Sequence, residues 1–221
     1  MKQYRFKIEY EGSYSYSWGY AMYSAFLEQL WKGQSTRIHE DIIFSQYIKP
    51  DEWVINSTES FEFKDKYKLE KFNKEITIIK KEVIEINEQE LADRYLISAP
   101  AKKSVTLHFV TPTTFKQDGE YVLFPTKDLI MNSLTAKWNQ WADRFVLEDI
   151  KWDNCKISKY NLRTTNYHMK GIKIQGFVGS VEIFFWGPES MIRLGNMICN
   201  YAAYSGTGIK AALGMGGTII E

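Results

Sequence analysis

Residues 205–217 read SGTGIKAALGMGG, five glycines set between a helix-like segment and a final apolar run, Thr218-Ile219-Ile220. Glycine tolerates positive φ and lets a second backbone come close, so such a loop suits a phosphate cradle as well as a plain turn before a strand. A dinucleotide-binding fingerprint needs a strand before its glycines and a helix after them. Here the order is reversed, helix first and strand second, so the loop is not that fingerprint. Gly206, Gly208, Gly214 and Gly216, with Lys210 among them, are the candidate phosphate-contacting positions.

The pattern ahead of this loop has a regular order. In the second half, Val105, Leu107 and Phe109 alternate as in a strand, and Thr126 is placed to cap a helix over Lys127–Trp141. Two long strands follow at 156–170 and 172–186, with Gly171 marking the turn, and then a helix over 190–204. With the final apolar run this reads β-α-β-β-α-β, the ferredoxin-like order. The first half opens on a strand at 3–10, a helix at 18–31, and short strands at 42–48, 53–56 and 61–63. The spacing then predicts a short helix over 67–74, a strand over 76–86 and helix again over 88–95. The fold class is therefore α+β, two tandem ferredoxin-like (RRM-like) domains. Ala99-Pro100 interrupts the pattern, dividing the chain into 1–98 and 99–221.

Composition narrows the function classes. The chain has 221 residues, 44% apolar and 25% charged, the proportions of a soluble globular protein. No apolar run approaches the roughly 18 residues of a membrane span, and the first residues hold no signal-peptide core. Two isolated cysteines, Cys155 and Cys199, make neither a disulfide framework nor a cysteine metal site, so a reducing cytoplasm is the expected location. The formal net charge of +1 does not by itself announce a nucleic-acid partner. Its distribution says more: Lys151, Lys156, Lys159, Arg163, Lys170 and Lys173 face only Asp153 across 151–173, interleaved with Tyr160, Tyr167 and His168. Cations of this kind neutralise phosphates and aromatic faces stack on unpaired bases; the plain alternative is a hairpin with lysines facing water.

A resemblance joins these pieces. Thr111-Pro112-Thr113-Thr114-Phe115, the stretch from Val122 through Leu129 with Phe124-Pro125-Thr126 at its centre, Ser133-Leu134, Lys137-Trp138-Asn139, Gly176-Phe177-Val178-Gly179 and the terminal glycine-rich loop follow one another in a fixed order. In that order they resemble the C-terminal domain of the CRISPR RNA-processing endoribonucleases of the repeat-associated mysterious protein superfamily. The resemblance implies two tandem ferredoxin-like domains and cleavage of precursor CRISPR RNA within its repeats, in antiviral defence, without a metal or other cofactor. The attacking group would be the 2′-hydroxyl beside the scissile phosphate. It implies repeat RNA as partner and admits other CRISPR effector-complex subunits or a second copy in a homodimer.

Transesterification of this kind needs a base, an acid and a donor for the phosphorane charge. Histidine suits the proton work near neutrality, and the chain has three: His39, His108 and His168. His39, just past the first helix where the resemblance places a catalytic histidine, is the first candidate, with Lys49 for phosphate charge and Tyr23 to orient the imidazole. His108, mid-strand, suits packing or RNA contact. Lys159, Arg163, His168 and Lys170 are the candidate RNA contacts on the hairpin. The family often continues from the histidine into a lysine-proline-aromatic-Ser/Thr stretch, whereas His39 is followed by Glu40-Asp41-Ile42-Ile43-Phe44-Ser45. That departure leaves a second reading open, a non-catalytic RNA-binding subunit of a CRISPR effector complex. No spaced metal-ligand motif is present.

Overall fold

The structure is a computed structural model that describes residues 1–30 and 43–221. In its first half, β1 (Lys2–Glu9), β2 (Ile43–Ile48), β3 (Glu52–Ser57), β4 (Lys66–Leu69) and β5 (Lys74–Glu85) form one antiparallel sheet in the order β2-β3-β1-β5-β4. Side chains alternate across a strand, so Tyr4, Phe6 and Ile8 of β1 point to the same face. There α1 (Trp18–Leu30) covers them with Trp18, Met22, Tyr23 and Phe26. Without β4, the order β2-β3-β1-β5 is that of a ferredoxin-like unit.

Between β3 and β5, where that unit has its second helix, the described residues form no α-helix. Residues 58–65 run without helix or strand, so the strand predicted over 61–63 does not form. Instead Phe63 stacks on Phe26 at 4.8 Å between ring centroids and lies 4.6 Å from Phe6, with Phe61 edge-on to Phe26 at 5.3 Å. The helix predicted over 67–74 is also corrected. Tyr67 and Leu69 are buried while Lys66 and Lys68 are exposed, a period of two that makes β4, followed by a single 3-10 turn at Glu70–Phe72.

The connection is helical. Asn87 caps α2 (Glu88–Ala92), its side chain accepting the Glu90 N–H, and a π turn at Asp93–Ser98 continues it. Ile86 and Leu91 already lie in the core of the second half.

That second half comprises β6 (Ser104–Thr113), a small hairpin of β7 (Phe115–Gln117) and β8 (Glu120–Val122), α3 (Lys127–Trp141), β9 (Cys155–Met169), β10 (Ile172–Phe185), α4 (Glu189–Ser205) and β11 (Thr218–Ile220). Its main sheet has the ferredoxin-like order β11-β6-β10-β9. Thr126 Oγ1 accepts the Leu129 N–H at 3.2 Å, the predicted cap. Val105, Leu107 and Phe109 of β6 pack with Ile130, Leu134 and Trp138 of α3 and Met197, Ile198 and Tyr201 of α4. At the tip of β9–β10, Met169 pairs with Ile172 and both intervening residues have positive φ, Lys170 at 49° and Gly171 at 78°. This is a two-residue type I′ turn, whose twist matches that of the strands.

Candidate nucleic-acid interface

The glycine-rich loop is folded against the protein. The N–H of Thr207 donates to Gly216 O, that of Ile209 to Thr114 O, that of Gly216 to Pro112 O and that of Gly214 to Ala211 O. The Gly208 N–H reaches Ser133 Oγ at 3.0 Å and the Gly217 N–H reaches Thr111 Oγ1 at 2.8 Å. These amides already have partners inside the chain, so they do not form an open row of donors for a phosphate. The stretch Thr111–Phe115 supplies three of these acceptors, Thr114 O, Pro112 O and Thr111 Oγ1, which explains why the two segments accompany each other in the sequence. Gly216 has φ +69°, and a Cβ there would stand 2.0 Å from Thr207 O.

The same loop presses on the first half. A Cβ on Gly214 would lie 2.8 Å from the Gly19 Cα of α1 and 2.7 Å from the Tyr167 hydroxyl, and one on Gly217 would lie 2.6 Å from Tyr47 Cβ of β2. Gly206, Gly208, Gly214 and Gly216 are all buried, whereas Lys210 is half-buried with a left-handed backbone. The loop is a seam between the two halves.

The tip of β9–β10 closes the seam from the other side. Tyr167, Met169 and Ile174 are buried with Met215, and Tyr16, Tyr20 and Leu213 pack against them. The Tyr167 hydroxyl donates to Leu213 O, and burial pushes its pKa up, so it stays a donor. The His168 N–H donates to Ser17 Oγ at 3.2 Å, Arg163 Nη2 to Tyr16 Oη at 3.3 Å, and Lys170 Nζ lies 6.0 Å from the Tyr20 ring centroid. The sequence-selected Arg163, His168 and Lys170 therefore converge on the start of α1. Lys159 does not join them. It lies nine residues before His168 on β9, roughly 30 Å at the usual rise per residue, and pairs with Glu182 at 3.5 Å.

Beside this contact lies a cavity of about 260 Å³, lined by Tyr20 and Ser24 of α1, Lys68 and Lys71 of the β4 region, and His168 and Lys170 of the hairpin. Glu28 and Glu70 also line it, Glu70 paired with Lys68 at 2.9 Å. Lys68 and Lys71 escape a reading from sequence because the pattern there suggests a helix, and nothing local points across to a hairpin a hundred residues later.

The other candidates are placed as follows. His39 lies outside the described residues. Tyr23 is buried in α1, 6.4 Å from the Tyr20 ring. Lys49, in the β2–β3 turn, pairs with Glu52 at 2.9 Å and lines a separate cavity of about 330 Å³ with Arg5, Lys7, Asp51, Lys80 and Glu82. His108 Nε2 sits 3.0 Å from a carboxylate oxygen of Glu221. Among the described residues no group of three or more His, Cys, Asp or Glu side chains is arranged to hold a metal ion, and no helix is long and apolar enough to cross a membrane.

An α+β chain of two tandem ferredoxin-like domains, joined along a glycine-lined seam with cations gathered beside it, is the class that fold and site define. The model of the CRISPR-associated endoribonuclease Cas6 family matches residues 107–218. The chain belongs to that family. It is 33% identical over 118 residues to the CRISPR-associated endoribonuclease Cas6 of Streptococcus thermophilus, covering 51% of this chain and 49% of the relative. To the Mycobacterium tuberculosis (strain H37Rv) Cas6 it is 26% identical over 133 residues, covering 58% and 42%. The matched part thus spans about half the length of these curated relatives or less. Among solved structures, a Cas6 product complex (TTHA0078) superposes with a TM-score of 0.75 at 16% identity, covering 100% of this chain and 98% of the other. Thermus thermophilus Cas6 (TTHB231) gives 0.67 at 18%, with the same coverage. These likenesses establish the fold.

Proposed function

We propose that the chain is an endoribonuclease that cuts CRISPR repeat RNA by attack of the 2′-hydroxyl on the adjacent phosphate, without a metal. Residues 1–98 would supply the proton chemistry and residues 99–221 much of the grip on RNA. The observation that carries the reading is the convergence of Arg163, His168 and Lys170 on the start of α1, beside a cavity that Lys68 and Lys71 also line. Cations collected from both halves suit a phosphate backbone lying across the seam.

In this reading His39 transfers the proton and Tyr23 orients it, while Lys49 would exchange Glu52 for the phosphorane. Lys210 contacts RNA from the half-exposed part of the loop. The buried glycines act by setting the shape of the surface the RNA meets. The Glu40-Asp41 sequence after His39 favours a second reading, a subunit that holds repeat RNA without cutting it, together with other CRISPR effector subunits or a second copy.

The deciding experiment is a cleavage assay on repeat RNA in EDTA, wild type against His39→Ala. One cut with a cyclic phosphate end, lost in the variant, supports the first reading. Tight binding without a cut supports the second, and neither binding nor cutting overturns both.

A further inference from the structure

Ser133 and Lys137 stand one turn apart on α3, a spacing that puts both on one helix face. Both belong to the ordered stretches that mark the second half, yet neither is part of its apolar core. Their polar atoms converge on the root of the glycine-rich loop. Lys137 Nζ donates to Ser205 O and to Gly206 O, each at 3.0 Å, and Ser133 Oγ accepts the Gly208 N–H at 3.0 Å.

The last carbonyls of a helix have no partner within the helix, and a lysine amine is one of the groups that satisfies them. Here that lysine comes from a different helix. Because α3 is fixed by Ile130, Leu134 and Trp138 in the core, the amine and the hydroxyl tie the loop's first residues to the most buried layer of the second half. Burial also lowers the Lys137 pKa to about 7, and no described carboxylate is ion-paired with it. An amine held in such a place, away from a countercharge, is there for its contacts and not for surface charge. From this root the loop runs on to Gly214 against Gly19 and Gly217 against Tyr47.

We propose that Ser133 and Lys137 are positioning residues that fix the glycine-rich loop at its root and thereby set how the first half and the hairpin tip face a bound RNA. The last step rests on the RNA-binding reading above; the fixing of the loop does not.

The test uses the full chain with Lys137→Met, Ser133→Ala and Ser133→Thr. Two quantities are read: hydrogen exchange of the 205–217 amides by mass spectrometry, and affinity for repeat RNA by filter binding. Lys137→Met should speed exchange across 205–217 while the centres of β9 and β10 keep wild-type protection, and should weaken RNA binding about tenfold, the scale of one lost strong hydrogen bond. Ser133→Ala should weaken it about threefold, and Ser133→Thr, which keeps the hydroxyl, should stay within about twofold of wild type. Should Lys137→Met fail to fold, the serine pair decides. Wild-type exchange and affinity in both Lys137→Met and Ser133→Ala would overturn the proposal, as would equal damage from Ser133→Thr and Ser133→Ala. A wild-type protein that binds no repeat RNA would sink the preceding reading, and loop exchange would still decide whether the root is fixed as proposed.

Discussion

The two halves reach one strand order by different means. The second half has both helices of a ferredoxin-like unit, α3 and α4, over the sheet β11-β6-β10-β9. In the first, among the described residues, α1 covers the sheet and no helix stands between β3 and β5, where Phe61 and Phe63 pack on Phe6, Phe26 and Trp53 instead. Apolar burial is non-directional, so an aromatic plug can stand in for a helix. Nothing stands in for a glycine whose missing side chain is occupied by another backbone. The family match at 107–218 falls on the half that holds most of those positions.

That contrast can be broken most sharply at Gly216. With φ at +69° and Thr207 O at 2.0 Å from any added Cβ, Gly216→Ala should cost about 4 kcal/mol, lowering Tm by roughly 10 °C or more. A melting curve like that of wild type would remove the claim that backbone contact dictates this half. Next is the plug. Phe63→Ala should cost about 2–3 kcal/mol in urea unfolding and Phe63→Leu under about 1.5, because volume is what the site requires. Equal losses would mean that ring geometry matters there as backbone does at the seam.

A pH series sharpens the comparison from within the second half. Lys137 has a pKa of about 7 in the folded chain against an ordinary 10.5. Between those values the unfolded chain carries a proton that the folded chain lacks, so stability rises with pH through this window; below 7 the group adds no slope. The difference in unfolding free energy between wild type and Lys137→Met should therefore grow by about 2 kcal/mol from pH 7 to pH 9. A flat difference would place the amine in water. The smallest effect belongs to Thr126→Ala, about 1 kcal/mol for the lost cap of α3, measurable in the same unfolding series.

Much of the second half is legible in its sequence because local rules and the final structure agree there. Thr126 before α3, Gly171 in the hairpin turn and the alternation of Val105, Leu107 and Phe109 each act within a few residues. The first half is less legible. KYKL at 66–69 is too short for its period of two to stand out, and Phe61 and Phe63 imitate a strand although they pack as a plug. Of the site, the chemistry of the hairpin cations is readable but not their grouping, since Lys170 comes to α1 and Lys159 stays with Glu182. The role of the glycines is readable only in part. Their need for close approach is written in the sequence, but Gly214 meets Gly19, and no local pattern names a partner so distant. Gly214→Asp would for that reason disturb the seam before any RNA is added, and weakened binding by it would not single out a phosphate contact.

The seam also bears on what would happen if the chain were cut between residues 98 and 99. Tyr167, Met169, Ile174 and Met215 would lose the cover of Tyr16 and Tyr20, while Ile86 and Leu91 would be withdrawn from the core that now holds them. Each fragment would carry a bare apolar surface shaped to the other, together with a glycine that admits no substitute partner. Such fragments, produced separately, should recombine when mixed, and the chain could then serve as a two-piece reporter whose reassembly is read by the return of its folded signal.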